Sequence, residues 1–369
     1  MRKIYILSLL LFGMFSCSQD LTDLNVDTKN PETVQAGTLF ANATVELMDY
    51  MASTNVNDNN FRLWAQQWAQ TQYPDESNYE LVERNVNGRT WNKLYATVIR
   101  DLKEVKTLVD KTPISAVFLE ENKRNQNAMA EVLEIFSWHL LVDIFGDIPY
   151  SQAFGDDVTP SYDDDAAVYA DLASRLDAAI GNLSGASAMG SSDLIYGGDV
   201  AKWRKFANSL KLRMAIRMAD MNDSGAKKMV EEAVLDGVLE SSDDDFRIYY
   251  TSSTPHTNPV WVDIVQSLRN DFVAANTIVD YMNDLNDPRL PFYFQNPIDG
   301  MYVGGTYGTT NSYNAYSQPG ELQRMPTFPH AILDFTEVSF LLADAAERGY
   351  AAGGTAEAFY NQGIMNSIL

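Results

Sequence analysis

Two stretches of the sequence combine aromatic rings with side chains that hydrogen-bond to hydroxyl groups. The first, WAQTQYPDESNY, runs from Trp68 to Tyr79, and the second runs from Tyr302 to Tyr316 among glycines. Sugars expose flat apolar C–H faces edged with hydroxyl groups, so a sugar site needs rings for stacking and amide or charged groups for the hydroxyls. We therefore predict glycan-binding loops here. The candidate binding residues, which include one tryptophan outside both stretches, are Trp68, Tyr73, Asn78, Tyr79, Trp261, Tyr302, Tyr307, Asn311, Tyr313 and Tyr316.

Packing inside the protein is the alternative interpretation of each ring. A single tyrosine is more often half-buried, with its hydroxyl group bonded to the backbone, than free to meet a ligand. Trp64, Trp91 and Trp203 lie on helical stripes and are predicted core residues, whereas Trp261 fits either interpretation. The two stretches are therefore stronger candidates as groups than any one ring is by itself.

Acidic clusters could hold a metal ion. Asp163 to Asp165 and Asp243 to Asp245 offer oxygen ligands suited to calcium, but neither cluster has the alternating spacing with a central glycine of a calcium loop. Solvated helix caps are the better interpretation. The three histidines, His139, His256 and His330, are far apart and form no H-x-x-x-H pair, which argues against zinc. We predict neither a metal nor a cofactor.

Enzymatic turnover is a competing function class, because helical barrels also host glycosidases that work with two carboxylates. Acidic pairs are too common in this chain to single out an acid or a base. The sequence contains neither a G-x-S-x-G elbow nor a G-x-x-x-x-G-K phosphate loop. We therefore predict binding without catalysis and keep a glycosidase as an alternative.

The composition excludes one class of partner. The chain of 369 residues is 46% hydrophobic and 21% charged, which is typical of a globular protein. Its 50 acidic and 27 basic residues give a formal net charge of -23, which repels phosphate backbones and anionic lipid head groups. We therefore predict no nucleic-acid partner.

The N-terminus predicts export and lipidation. Residues 1–16 combine a positive end with an apolar run too short for a stable membrane span, which is typical of a cleaved signal peptide. Cys17, the only cysteine, follows directly in an arrangement that resembles a bacterial lipobox. We therefore predict a signal peptide over 1–16 and a lipidated tether over 17–30, with the acyl chains as the membrane anchor.

The candidate loops are set in a chain that is mostly α-helical. Apolar residues recur at helical spacing in one segment after another, for example along Trp91 to Leu108 and Met129 to Ile144. After about Asp236 the chain is broken by proline, glycine, asparagine and tyrosine. We predict a helical array over 31–369, with an irregular, loop-rich ligand-binding part at 235–330.

Four ordered motifs resemble those of one protein family. They are FGDIPYSQAF from Phe145, KWRKFANSLKLRMAIRM from Lys202, DPRLP from Asp287 and EVSFLLADAAERG from Glu337. In this order and spacing they resemble the SusD/RagB family of nutrient-binding outer-membrane lipoproteins, although Phe145 stands where many members carry tryptophan. The resemblance implies a tetratricopeptide-like α-α superhelix, a lipid anchor at the cell surface, and a TonB-dependent (SusC-like) outer-membrane transporter as partner.

The resemblance also implies that the protein captures a nutrient outside the cell and delivers it to that transporter. We expect the nutrient to be an oligosaccharide or polysaccharide, and a peptide-capturing member of the same family or a helical-repeat protein-interaction scaffold are the alternatives. Family members continue well beyond the last motif, whereas this chain ends at Leu369 inside an apolar helical pattern. We therefore expect the sequence to be incomplete at its C-terminus.

Overall fold

Helices dominate the structure, as the sequence predicts. The computed structural model describes residues 34–185 and 188–368, so the predicted signal peptide, Cys17 and tether lie outside the described residues. A π-helical turn, Lys93–Ile99, continues the chain between the third and fourth helices. The α-helices are α1 (Ala36–Ala52), α2 (Phe61–Trp64), α3 (Val86–Asn92), α4 (Arg100–Lys111), α5 (Glu120–Phe145), α6 (Asp165–Asn182), α7 (Val200–Met218), α8 (Asp223–Asp236), α9 (Pro259–Trp261), α10 (Asn276–Asp284), α11 (Leu290–Tyr293), α12 (Phe335–Glu347) and α13 (Ala356–Ile368).

The strands are short and pair two by two. They are β1 (Trp68–Gln70), β2 (Phe246–Ile248), β3 (Phe272–Ala274), β4 (Phe294–Gln295), β5 (Gln318–Pro319) and β6 (His330–Leu333). β1 pairs with β3, β2 with β6 and β4 with β5, each time antiparallel. In the first pair Trp68 lies opposite Ala274, and Gln70 lies opposite Phe272. The first two pairs therefore join chain segments that are far apart in sequence.

Local capping explains where several helices begin and end. The Asp164 carboxylate accepts a hydrogen bond from the N–H of Ala167 at the start of α6, and Asp334 accepts one from the N–H of Glu337 at the start of α12. These bonds satisfy backbone donors that a helix leaves unpaired in its first turn. Gly146 ends α5 with a φ of +72°, a conformation that glycine adopts readily. The cap predicted near Asp164 is confirmed.

Most of the buried apolar residues form one core, which lies among stacked helices. α4 packs on α5, α5 on α6, α6 on α7 and α7 on α8, while α1 packs on α4 and α12 packs on α13. Trp138 and Trp203 are almost completely buried in this core. We call residues 36–52, 86–250 and 330–368 the helical region. Its stacked helices confirm the predicted tetratricopeptide-like array.

A second, smaller core lies among loops. Trp68 of β1, Phe272 of β3 and Val279 of α10 pack together in it, apart from the main cluster. We call residues 54–84 and 256–328 the loop-rich lobe. The predicted ligand-binding part, 235–330, differs from this lobe in two ways, because residues 238–250 pack in the helical core and because β1 brings the segment 54–84 to β3. Within the described part of the chain, no helix has both the length and the apolar character needed to span a membrane.

Candidate ligand-binding site

A polar cavity of about 200 Å³ opens beside β1 in the loop-rich lobe. It lies between the segment that follows α1, the loop that follows β1 and the turn between α9 and β3. Tyr73 lines it and is 63% exposed, so we call it the Tyr73 cavity. Its polar lining includes Asn55, Gln72, Arg84, Asp263, Arg269 and Asp271.

Gln70, the last residue of β1, holds the loop that carries Tyr73. Its side chain is buried, and its Nε2 donates to the Tyr73 carbonyl oxygen at 2.9 Å and to Oε2 of Glu76 at 2.7 Å. Its Oε1 accepts from the backbone N–H of Ser77 at 3.2 Å and from the Ser77 hydroxyl at 2.7 Å. The Gln70 side chain therefore makes four hydrogen bonds that attach the loop to β1.

Tyr73 is held in an uncommon conformation. Its φ is +52°, in the left-handed region that is unfavourable for a residue with a side chain. Such conformations persist where surrounding contacts enforce them, and they cluster at ligand sites. The Arg84 guanidinium group lies 5.8 Å from the ring centroid, and Arg84 is itself paired with the buried carboxylate of Glu76. The ring is thus positioned by the loop and presented to solvent.

The opposite wall of the cavity carries hydrogen-bonding and charged groups. Oγ1 of Thr54 donates to Oδ2 of Asp263 at 2.9 Å, and Nε of Arg269 lies 2.8 Å from Oδ2 of Asp271. Burial raises the pKa of Asp263, and the hydrogen bond from Thr54 opposes that shift. Two arginines and two aspartates line the cavity, and each arginine is paired with a carboxylate, Arg269 with Asp271 and Arg84 with Glu76. With both cations paired, the amide and hydroxyl groups of the lining suit a ligand rich in hydroxyl groups.

Sequence reasoning missed this wall. Thr54 and Asp263 are 209 residues apart in the chain, and neither belongs to a motif. Asp263 lies in the π-helical turn Val262–Gln266, and the polar run that begins at Gln266 and carries Arg269 is the one local signal in this segment. That signal is common in loops and does not indicate a partner.

The two predicted stretches do meet in the structure. Nδ2 of Asn78 donates to the Gly308 carbonyl oxygen at 3.0 Å, so the loop after β1 touches the second stretch directly. Tyr79 is 66% exposed and its ring stacks on Trp64 at 6.2 Å between centroids. Tyr307 is half-buried beside Ser77 and Tyr79, and burial raises the pKa of its hydroxyl. Asn78, Tyr79 and Tyr307 therefore form one surface next to the Tyr73 loop.

The remaining tyrosines of the second stretch support the strands. Tyr313 and Tyr316 pack against a small cluster of buried residues from β1 and β3, and Tyr302 packs against the core of the loop-rich lobe. All three are half-buried. For these rings the structure shows the packing role that was the alternative interpretation.

Two candidate binding residues occupy interior positions. Trp68 is only 2% exposed and packs against Phe272 with ring centroids 5.5 Å apart. Asn311 is 8% exposed, and its Nδ2 donates to the carbonyl oxygens of Gln70, Thr306 and Thr309. Both side chains are held inside the protein, so we exclude them from the ligand surface. All three residues of β1, including Trp68, are buried where β1 pairs with β3, and the sequence did not reveal this pair.

Trp261 lies next to the Tyr73 cavity in the sequence. Trp261 is half-buried at the end of α9, directly before the cavity residues Val262 and Asp263.

The carboxylates of Asp147, Asp164 and Asp165 lie within 4.8 Å of one another on the surface. Asp147 accepts from the N–H of Asp165 at 3.0 Å, and Asp164 caps α6. Backbone hydrogen bonds therefore account for this cluster.

A protein-family model matches almost the whole chain. The SusD-like model, described as starch-binding and associating with the outer membrane, covers residues 28–369. This chain belongs to the SusD-like family. The match confirms the resemblance carried by the four motifs. Members of the SusD-like family bind glycans at the outer membrane and are binding proteins rather than enzymes.

Solved structures of SusD homologues share the fold. A chitin-binding SusD homologue from Flavobacterium johnsoniae is 26% identical, with a TM-score of 0.76, and the match covers 90% of this chain and 70% of that chain. A SusD-like protein from Bacteroides thetaiotaomicron is 28% identical, with a TM-score of 0.74 and coverage of 90% and 69%. A SusD homologue from Bacteroides uniformis is also 28% identical, with a TM-score of 0.75 and coverage of 90% and 70%. No curated protein matches this sequence significantly.

Proposed function

We propose that this SusD-like protein captures neutral glycans at the Tyr73 cavity, outside the cell, and delivers them to a TonB-dependent (SusC-like) transporter of the outer membrane. A lipid on Cys17 anchors the protein at the cell surface in this proposal. Tyr73 provides the stacking ring, and Arg84 and Asp263 meet the sugar hydroxyls. Asn78, Tyr79 and Tyr307 extend the contact surface along the glycan.

One observation carries the proposal. An exposed tyrosine, held in a left-handed conformation, stands at a polar cavity whose two arginines are each paired with a carboxylate. A pyranose ring stacks its C–H face on an aromatic ring and directs its hydroxyls sideways, toward amide and charged groups. Tyr73 and the opposite wall of the cavity offer this combination in a preformed site, which lowers the entropy cost of binding.

The family and its solved members support a glycan as the ligand. The family description names starch, and two of the similar structures are chitin-binding proteins. Both polymers are uncharged chains of pyranose rings. The family also supports the transporter as the partner, because its members associate with the outer membrane.

The expected affinity is weak. Two or three stacked rings contribute about 2 to 3 kcal/mol beyond area burial. Together with the apolar area that they bury, we expect a dissociation constant in the micromolar to millimolar range, which corresponds to about 4 to 8 kcal/mol. Weak capture suits a protein that must release its ligand to a transporter.

Calorimetric titration tests the proposal. The purified protein is titrated with chitohexaose, with maltohexaose and with a set of short peptides, and the products are analysed by chromatography. We expect saturable binding of an intact oligosaccharide, and a Tyr73→Ala variant that binds it roughly 5- to 10-fold more weakly, equivalent to about 1 kcal/mol of lost stacking.

Tyr249→Ala is the matched control, because Tyr249 is 69% exposed and lies outside the loop-rich lobe. Its affinity should equal that of the unmodified protein. Binding of peptides alone would replace the glycan with a peptide, and cleaved oligosaccharide would show an enzyme. An unchanged affinity of the Tyr73→Ala variant would remove the Tyr73 cavity from the proposal.

A further inference from the structure

A second cavity, of about 430 Å³, lies in the loop-rich lobe beside α10 and α11. Tyr281 of α10 borders it and is 66% exposed, and Tyr293 of α11 borders it as a half-buried ring. Ile278 and Met282 add apolar surface. We call it the Tyr281 cavity. Its size falls in the range of small-molecule sites, and its lining is mostly apolar with a few polar groups, as such sites usually are.

Two amide side chains border the Tyr281 cavity without partners among the described residues. Oε1 of Gln323 is buried and accepts no hydrogen bond. The amide of Gln67 is exposed and makes no side-chain hydrogen bond to another described residue. The exposed Gln67 amide can both donate to and accept from a sugar hydroxyl group. Oε1 of Gln323, in contrast, has almost no accessible surface at which a ligand could meet it.

The charged groups of the Tyr281 cavity are already satisfied. Nε of Arg289 donates to Oδ1 of Asp287 at 2.9 Å, and the backbone N–H of Arg289 donates to the same carboxylate. These bonds hold the pKa of Asp287 down to about 2. The pair is neutral as a whole, so the cavity offers no net charge to an ionic ligand. Its free groups are aromatic rings and amides.

We propose that the Tyr281 cavity is a second glycan-binding site, which takes one or two pyranose units of a neutral glycan with Tyr281 as the stacking ring and the Gln67 amide as the hydrogen-bonding partner of a sugar hydroxyl. This inference rests on the proposed function, because it assigns the same class of ligand to another site. The Tyr73 cavity and the Tyr281 cavity include residues of the same strand pair, with Gln70 in the first and Trp68 in the second.

Two weak sites on one protein strengthen the capture of a polymer. Once a long glycan is bound at one site, its other units are present at a high effective concentration near the second site. This gain in affinity requires no contact beyond those made at each site. A short glycan that occupies one cavity at a time binds each one independently. Comparing the affinities of short and long glycans therefore separates binding at each cavity from the gain that comes from linking the two.

Fluorine NMR on the protein labelled with 3-fluorotyrosine tests the second site directly. The Tyr73→Phe and Tyr281→Phe variants assign the two resonances, because each variant lacks one signal. We expect chitobiose, maltose or cellobiose to shift both signals in a saturable manner. In the Tyr73→Ala variant the Tyr281 signal should still shift, with its midpoint concentration changed less than twofold.

Affinity for chitohexaose gives the second readout. Tyr281→Ala should weaken it about 3- to 10-fold, whereas the control Tyr249→Ala should leave it unchanged. A Tyr281 signal that none of the three disaccharides moves, while the Tyr73 signal shifts, would overturn the second site and leave the proposed function intact. If neither signal moves and chitohexaose does not bind, both proposals are wrong.

Discussion

Buried charges of the helical region are paired inside the protein, whereas several polar groups of the loop-rich lobe face cavities. Glu134 of α5 is completely buried and lies 2.7 Å from Lys106 of α4 and 2.9 Å from Arg175 of α6. In the lobe, by contrast, Asp263 lines the Tyr73 cavity and Gln323 borders the Tyr281 cavity. The comparison teaches that the helices use buried polar groups to hold one another together, whereas the loops place several of theirs at cavities, where we propose that the ligand binds.

Residues of the family motifs make contacts that hold the helices together. Tyr150, from the FGDIPYSQAF motif, accepts from Nη1 of Arg175 at 2.6 Å and packs edge-on against Trp138. Arg213 and Glu337, from two other motifs, form a bidentate pair with both distances at 2.6 Å. Three of the four motifs therefore hold helices together. They identify the scaffold and do not specify the ligand.

The largest effect is expected from Glu134→Ala. The change removes the buried anion that Lys106 and Arg175 share, although both stay paired with Glu131. Loss of one partner of a buried pair costs about 3 to 5 kcal/mol, and because Glu131 remains we expect the lower end, about 3 kcal/mol. We expect the free energy of unfolding, measured by urea titration, to fall by that amount. The control Lys228→Ala removes an exposed pair with Glu232 at 3.7 Å and should cost less than about 0.5 kcal/mol. Equal losses for the two variants would contradict the contrast between buried and exposed charge.

An intermediate effect is expected from Gln70→Ala in the loop-rich lobe. The change leaves the buried partners of Gln70 unpaired, which costs about 2 kcal/mol of stability, and it frees the loop that holds Tyr73. We expect the affinity for chitohexaose to fall at least 10-fold in calorimetry, which exceeds the loss for Tyr73→Ala. The control Gln152→Ala changes an exposed glutamine of the helical region and should preserve both quantities. Full affinity in the Gln70→Ala variant would show that the loop needs no such support.

The smallest effect concerns Asp245, a helical-region residue whose charge is poorly compensated. Burial raises the pKa of Asp245 to about 6, although Arg247 pairs with it and the N–H of Phe335 donates to it at 2.7 Å. Because the folded-state pKa lies above the unfolded value, its contribution to stability is present at low pH and is lost as pH rises through about 6.

Asp245→Asn removes this titration. Relative to the variant, the unmodified protein should lose roughly 1 to 2 kcal/mol of unfolding free energy between pH 4.5 and pH 7.5. Urea titrations of both proteins at the two pH values measure the difference. A difference that does not depend on pH would mean that the charge of Asp245 is as well compensated as that of Glu134. Asp245 would then not be an exception among the buried charges of the helical region.

The sequence predicted the fold better than the site. The helical stripes and the cap at Asp164 correspond to elements of the structure. Among the ten candidate binding residues, Tyr73 and Tyr79 are exposed rings, whereas Trp68 and Asn311 are interior. Tyr281 was not a candidate, because a lone tyrosine on a helical pattern gives no sign of the cavity beside it.

What the sequence by itself determined is therefore the helical array and the family. Helices depend on hydrogen bonds between residues four apart and on a repeated apolar face, and both leave a record in neighbouring residues. Only the tertiary structure decided which rings face a cavity. Exposure of Tyr73 and burial of Trp68 depend on the pairing of β1 with β3 and on contacts such as Thr54 with Asp263, 209 residues apart. Such contacts join segments whose sequences carry no common pattern.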